Sequence, residues 1–148
     1  MPANDIFTPP PRWIRPVRIL GYLVFLVAFF LPAVREPASG ETHRGWFCAG
    51  VTLINSLNRD FWRSKEFLAI LSGWINPLML LHVASLFSRK LRIFRRIVSI
   101  LIVLFIPGTW VFFYLEPLTP LIGHFLWIVG ILMILAGETV RPVAPSNE

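Results

Sequence analysis

Charge is scarce in this chain of 148 residues, where Asp, Glu, Lys and Arg together make up 15%. A water-soluble domain carries about 25%. The hydrophobic share here is 55%, with 13 Phe and 6 Trp, more apolar surface than a core of this size can hide. A soluble globular domain is excluded, and so is a disordered chain. Cysteine is nearly absent: Cys48 stands alone, which rules out an internal disulfide and a thiolate metal cluster. Catalytic signatures are missing as well, since there is no HExxH, GxSxG, Walker loop or GxGxxG. The net charge of +6 comes with no nucleic-acid-binding module, and the basic residues gather at the ends of uncharged runs, as topogenic signals do.

What the chain does have is four long apolar windows, at 17–34, 67–87, 97–115 and 118–137. A bilayer core of about 30 Å takes about 20 residues of helix, so the expectation is an all-α integral membrane protein of four transmembrane helices. No window contains Asp or Glu, which removes the acidic relay a proton pump needs. Arg18 is the one basic residue within them, close enough to the edge to snorkel. The first window is expected to stay in the mature protein, because Leu31-Pro32-Ala33-Val34-Arg35 offers no small-x-small cleavage site. Residues 1–16, with Pro9-Pro10-Pro11, and residues 138–148 are expected to be flexible tails around a single domain, 17–137.

Orientation follows from Lys and Arg in the links. Arg89, Lys90, Arg92, Arg95 and Arg96 crowd one link without an acid, whereas Glu116-Pro117 has no basic residue. The first link is therefore expected inside and the second outside, with both termini cytoplasmic. The same five cations are candidate contacts for anionic lipid headgroups. The layout resembles that of many small bacterial membrane proteins, so the expected location is the cell membrane, a bacterial inner membrane.

The outer loop 35–66 is long for so small a protein, and loops of that length are usually functional or internally structured. Within 46–58, Trp46, Phe47, Gly50, Val51, Leu53, Ile54 and Leu57 share one side of a helical wheel, with Cys48, Thr52, Asn55 and Ser56 opposite. At about 1.5 Å per residue such a helix is about 20 Å long, too short to span and suited to the interface. It is expected to continue into Phe61-Trp62. The charged residues of this loop are too sparse in sequence to build a metal site around His43.

Two prolines fall near the middle of predicted helices, in Ser72-Gly73-Trp74-Ile75-Asn76-Pro77 and in Ile106-Pro107-Gly108-Thr109. Each lacks an N–H and frees the carbonyl four residues back, Gly73 and Val103. Ser72, Asn76, Pro77, Pro107, Gly108 and Thr109 thus form a candidate midplane polar site, read first as packing kinks, in which Asn76 would bond a freed carbonyl such as Val103. His82 lies about sixteen residues into its window and His124 about seven, a difference of roughly 13 Å along the membrane normal. No single haem iron joins them; each is expected to bond locally, with Ser85 near His82. Gly123, Gly130 and Gly137 repeat every seven residues and form a candidate helix-packing face, matched by Gly21 and Ala28 in the first window.

These features carry no catalytic residue, no metal and no cofactor. The expected function is that of a non-enzymatic membrane subunit or effector working through protein and lipid contacts. Its partners are the bilayer and either further copies of the chain or another membrane protein, not nucleic acid. The competing reading is a small oligomeric pore or carrier that uses the breaks at Asn76-Pro77 and Pro107-Gly108.

Overall fold

Proline placement decides where most helices of this chain start and stop. The computed structural model describes residues 13–57, 71–115 and 117–139. In chain order these form α1 (Ile14–Ala28), β1 (Pro32–Arg35), β2 (Thr42–Arg44), α2 (Gly45–Leu57), α3 (Ile75–Ser85), α4 (Arg92–Leu115), β3 (Thr119–Pro120) and α5 (Ile122–Thr139), with a 3-10 turn at Arg89–Leu91 before α4. Helix dominates the described residues. Pro16 and Pro77 sit in the first turns of α1 and α3, where a missing N–H leaves nothing unpaired. Residues 14–16 are consequently helical, although the tail was expected to run to 16. Among the described residues Pro107 is the one proline deep inside a helix, and α4 continues on both sides of it.

Three of the expected boundaries move for identifiable reasons. The first window ends early: α1 tightens at Phe29 and Phe30, whose N–H groups bond the carbonyls of Leu26 and Val27, and Pro32 then opens a strand. The interruption near Pro77 falls three residues earlier, at Trp74, whose N–H reaches only Leu71. Pro120 begins the last helix late, at Ile122. As a result Arg92–Leu115, with 24 residues, is the one helix among the described residues long and apolar enough by itself to cross a bilayer. The expected segments at 1–12, 58–70 and 140–148, including the Phe61-Trp62 extension, lie outside the described residues.

A small three-stranded sheet, in the order β2-β1-β3, was not legible in advance. The β1–β2 hairpin closes with the Gly40 N–H on the Glu36 carbonyl at 2.8 Å, and Gly40 has φ +72°, a conformation few L residues accept. β1 then pairs antiparallel with Thr119–Pro120, so the link after α1 and the link after α4 meet at one end of the bundle. Pro120 sits on the edge strand, where a missing donor is tolerated.

The helices pack in two pairs. The core joins Ile75 and Met79 of α3, Val98 and Ile102 of α4, and Ile131, Ile134 and Leu135 of α5. α1 lies antiparallel on α5 at glycine contacts. A Cβ on Gly130 would stand 2.7 Å from the Phe25 nitrogen, one on Gly21 2.9 Å from the Met133 Cβ, and one on Gly123 2.6 Å from the Pro32 carbonyl oxygen. The small-residue face on the last helix is thus used within the chain, at Gly123 and Gly130; the surroundings of Gly137 lie outside the described residues.

Large apolar side chains cover much of the surface, and several polar ones are buried beside the aliphatic core. Ser72, His82, Ser85, Arg95, Thr109 and His124 are buried, while Leu23, Leu26, Ile97, Ile100, Leu104, Val129 and Leu132 are exposed. α2 shows the same arrangement locally: Ile54 is 69% exposed and Leu57 64%, whereas Cys48, Thr52 and Asn55 turn inward. Arg95 leaves the basic cluster and donates from Nη1 to the Ser85 carbonyl at 3.1 Å, a cation at the C-terminal end of α3. Of its neighbours, Lys90, Arg92 and Arg96 stay exposed.

Gly130→Ala should force α1 and α5 apart and cost about 1–3 kcal/mol, the usual penalty of overpacking. Gly50→Ala, where an added Cβ meets nothing within 4 Å, should be neutral or slightly stabilising, as alanine is the better helix former by about 0.8–1 kcal/mol. Denaturant or thermal unfolding of both variants in one detergent checks the contrast.

Candidate functional site

The inward stripe of α2 does not close onto the bundle. Between them lies a cavity of about 310 Å³, roofed by Cys48, Ala49 and Thr52 and flanked by the hairpin. Its floor is made by Ser72 from the residues before Trp74, Asn76 from the start of α3, Thr109, Phe112 and Phe113 from the second half of α4, and His124 and Trp127 from the start of α5. Three residues of the predicted polar site therefore meet on one wall: Ser72, Asn76 and Thr109. Pro77, Pro107 and Gly108 lie outside that wall. The meeting place is the sheet end of the bundle, and the core from Ile75 and Met79 onward fills the interior behind it.

Three polar groups at the cavity, Asn76, Thr109 and Thr52, have defined partners. Asn76 accepts through Oδ1 from the Trp127 indole N–H at 3.0 Å, linking α3 to α5. This differs from the expected bond to Val103, because α3 begins at Ile75 and places Asn76 beside the last helix. Thr109 donates to the Ile106 carbonyl at 2.7 Å, next to the amide that Pro107 cannot supply. Thr52 donates to the Cys48 carbonyl at 2.9 Å. These hydroxyls keep lone pairs to offer.

His124 is different. Its ring stacks on Trp127 at 5.7 Å and 27°, and meets the rings of Phe113 at 4.6 Å and Trp110 at 5.8 Å nearly edge-on. The residue is only 7% exposed, and its buried Nε2 has no hydrogen-bond partner. Gly123 makes this placement possible: without a side chain it lets α5 start directly beneath the Pro32 carbonyl, which sets His124 against the cavity. His82 stands elsewhere, fully buried on α3 with Met79 and Ser85. The Ser85 hydroxyl bonds the His82 carbonyl at 2.6 Å instead of the imidazole.

The hairpin contributes a further cluster that sequence spacing hid. Glu36, Glu41 and His43 bring one ligand atom each within 4.8 Å of one another. Glu36 and Glu41 are joined across the turn by a backbone bond of 2.9 Å, and the Ser39 hydroxyl donates to the Glu36 carboxylate at 2.7 Å. His43 stacks on Phe47 at 4.9 Å. Glu36 and His43 border the cavity, so its hairpin side is polar and its floor is aromatic.

Comparison of the chain with known protein families, curated proteins and solved structures finds no match.

Burial pushes the Cys48 thiol up to about 11, a desolvation effect only partly offset by its backbone hydrogen bond. The thiolate is the nucleophile, so alkylation of Cys48 by N-ethylmaleimide should be slow at neutral pH. Its rate should climb about ten-fold per pH unit without levelling until close to 11, whereas a free thiol levels near its pKa of about 8.5. A rate–pH profile of the folded protein, with the quenched product counted by mass spectrometry, checks this.

Proposed function

We propose that this chain is a small multi-pass membrane protein with four membrane-crossing segments and both termini in the cytoplasm. It acts without catalysis, as a subunit or effector working through protein and lipid contacts. The observation that carries the reading is the apolar surface over buried polar groups. Exposed Leu23, Leu26, Ile97, Ile100, Leu104, Val129 and Leu132 surround buried His82, Arg95 and His124. In water such a surface has no favourable counterpart, whereas in hydrocarbon it is the stable arrangement. α2 supports the same account through Trp46, Ile54 and Leu57, the exposed part of its apolar stripe, while Phe47 and Val51 line the cavity. Lys90, Arg92 and Arg96 are exposed at the end opposite the sheet, the cytoplasmic end under the positive-inside rule. They begin α4 against its macrodipole, an arrangement that anionic headgroups would relieve.

Because Gly123 and Gly130 are occupied by β1 and α1, a partner would meet the large apolar side chains exposed on the outer faces of the helices instead. Two measurements test the reading. In a Cys48→Ala background, Pro117→Cys should react with an impermeant maleimide from outside intact cells and Lys90→Cys only after permeabilisation. Native mass spectrometry from nanodiscs should find more than a single 17.0 kDa chain. The reverse labelling pattern, or a lone chain under every mild condition, would refute it.

The pore or carrier reading draws support from the convergence of Ser72, Asn76 and Thr109 on one cavity. Against it, α4 is continuous through Pro107, and the packed Ile75, Met79, Ile102 and Ile131 occupy the path behind the cavity. Reconstituted protein is therefore expected to move neither ions nor small solutes across liposomes; measurable flux would favour the carrier.

A further inference from the structure

We infer that Glu36, Glu41 and His43 bind one divalent transition-metal ion, with zinc the best fit, at the hairpin rim of the cavity. The inference goes beyond the effector reading above and does not depend on it, since the hairpin alone supplies the ligands.

The strands assemble the donor set. β1 and β2 pair Val34 with His43 and Arg35 with Thr42. The next step of that register sets Glu36 opposite Glu41, whose carbonyl accepts from the Glu36 N–H at 2.9 Å. Successive side chains of a strand point to opposite faces. Val34, Glu36, Glu41 and His43 therefore share one face, and Arg35, Thr42 and Arg44 take the other. Exposure agrees: Arg35, Thr42 and Arg44 are exposed, whereas Glu36 and His43 are half-buried beside the cavity.

The distances suit an ion. The three residues offer one donor atom each, all within 4.8 Å of one another. Zinc bonds of about 2.0–2.2 Å in a tetrahedron hold donors about 3.4 Å apart, so an ion would draw these in by at most about 1.4 Å. Glu41 is exposed, and turning its side chain supplies most of that movement. The other two ligands are already oriented. The Ser39 hydroxyl donates to Glu36 Oε2 at 2.7 Å, and the His43 ring stacks on Phe47 at 4.9 Å and 21°. Contacts of this kind fix the direction of a metal ligand. Like charges directly opposite on paired strands are destabilising, and a dication between Glu36 and Glu41 turns that repulsion into attraction.

The donors also select the ion. An imidazole nitrogen suits zinc and its neighbours, whereas calcium and magnesium take shells of oxygen. Three protein ligands leave a coordination position for water. Glu36 and His43 line the cavity of about 310 Å³, so that position has room on the cavity side. β2 runs straight into α2, and the ion would thus brace the hairpin that carries the cavity roof.

Tag-free protein, stripped by a chelator, should bind one Zn²⁺ per chain in a titration against a competing fluorescent zinc indicator. Co²⁺ in the same site should give the visible bands of a four- or five-coordinate ion, without the near-ultraviolet charge-transfer band that a Cys48 thiolate would add. Cys48→Ala should bind Zn²⁺ as the wild type does. His43→Phe keeps a ring on Phe47 and removes the donor, and Glu41→Gln removes a charge at an exposed position. Ser39→Ala should weaken binding about ten-fold and these two variants more, since loss of an orienting contact alone costs about 10–100-fold.

A second measurement uses the wild-type chain, in case the variants fail to accumulate. Zn²⁺ binding to the folded state should raise Tm, and an equal concentration of Mg²⁺ should not. No binding at one ion per chain, wild-type affinity in either His43→Phe or Glu41→Gln, a thiolate band with Co²⁺, or an equal thermal shift with Mg²⁺ would each overturn the inference.

Discussion

Everything else in this fold depends on the close approach of α1 and α5 at their glycines. Helices that meet this closely gain dispersion contacts along the whole seam. Gly21 and Gly130 let two backbones come so near that a single added Cβ would clash with the opposing main chain. The contact extends past the helices, since Gly123 lies under the Pro32 carbonyl and Gly45 under that of Ala28. The same line of small residues thereby sets where β1 runs and where α2 begins. It also places His124, one residue after Gly123, against the cavity.

The sheet is the second consequence. With α1 ended at Ala28, the chain between α1 and α2 must find partners for its backbone groups outside a helix. It does so by pairing β1 with β2 and with Thr119–Pro120, and further bonds run from Gly45 to Leu31 and from Leu121 to Ala33. This lattice ties the two links of one end together and lifts α2 over the open mouth of the bundle. The cavity exists because α2 is held by the strands on one side and not sealed by large side chains on the other, where Ala49 and Thr52 face inward.

Buried polar groups are arranged by end. Arg95, Ser85 and His82 interlock through the last turn of α3, where a cation complements the helix dipole. At the other end the Trp127 indole N–H bonds the Asn76 side chain, a cross-link between two helices. Between them the core is aliphatic. Among the described residues the bundle is packed in its middle and holds its cavity at the sheet end.

Much of the architecture was legible because it follows from composition and period. The helical character, the helix at Gly45–Leu57 and the division of that helix into an apolar and a polar stripe are written in the spacing of residues such as Trp46, Ile54, Cys48 and Thr52. Seven-residue glycine spacing likewise announced a close helix contact, since only glycine lets backbones meet. Tertiary structure decided the rest. The direction of the α2 stripes, polar inward, depends on what lies on either side of the helix, which no periodicity encodes. The three-residue shift of the α3 break to Trp74 reflects a proline choosing the first turn of a helix over its middle. The strands are two to four residues long, too short to impose a pattern, and only their mutual pairing makes them strands. Convergence of Ser72, Asn76, Thr109 and His124 on one wall needs three helices and the residues before Trp74 brought to one place, and sequence distance carries no information about that.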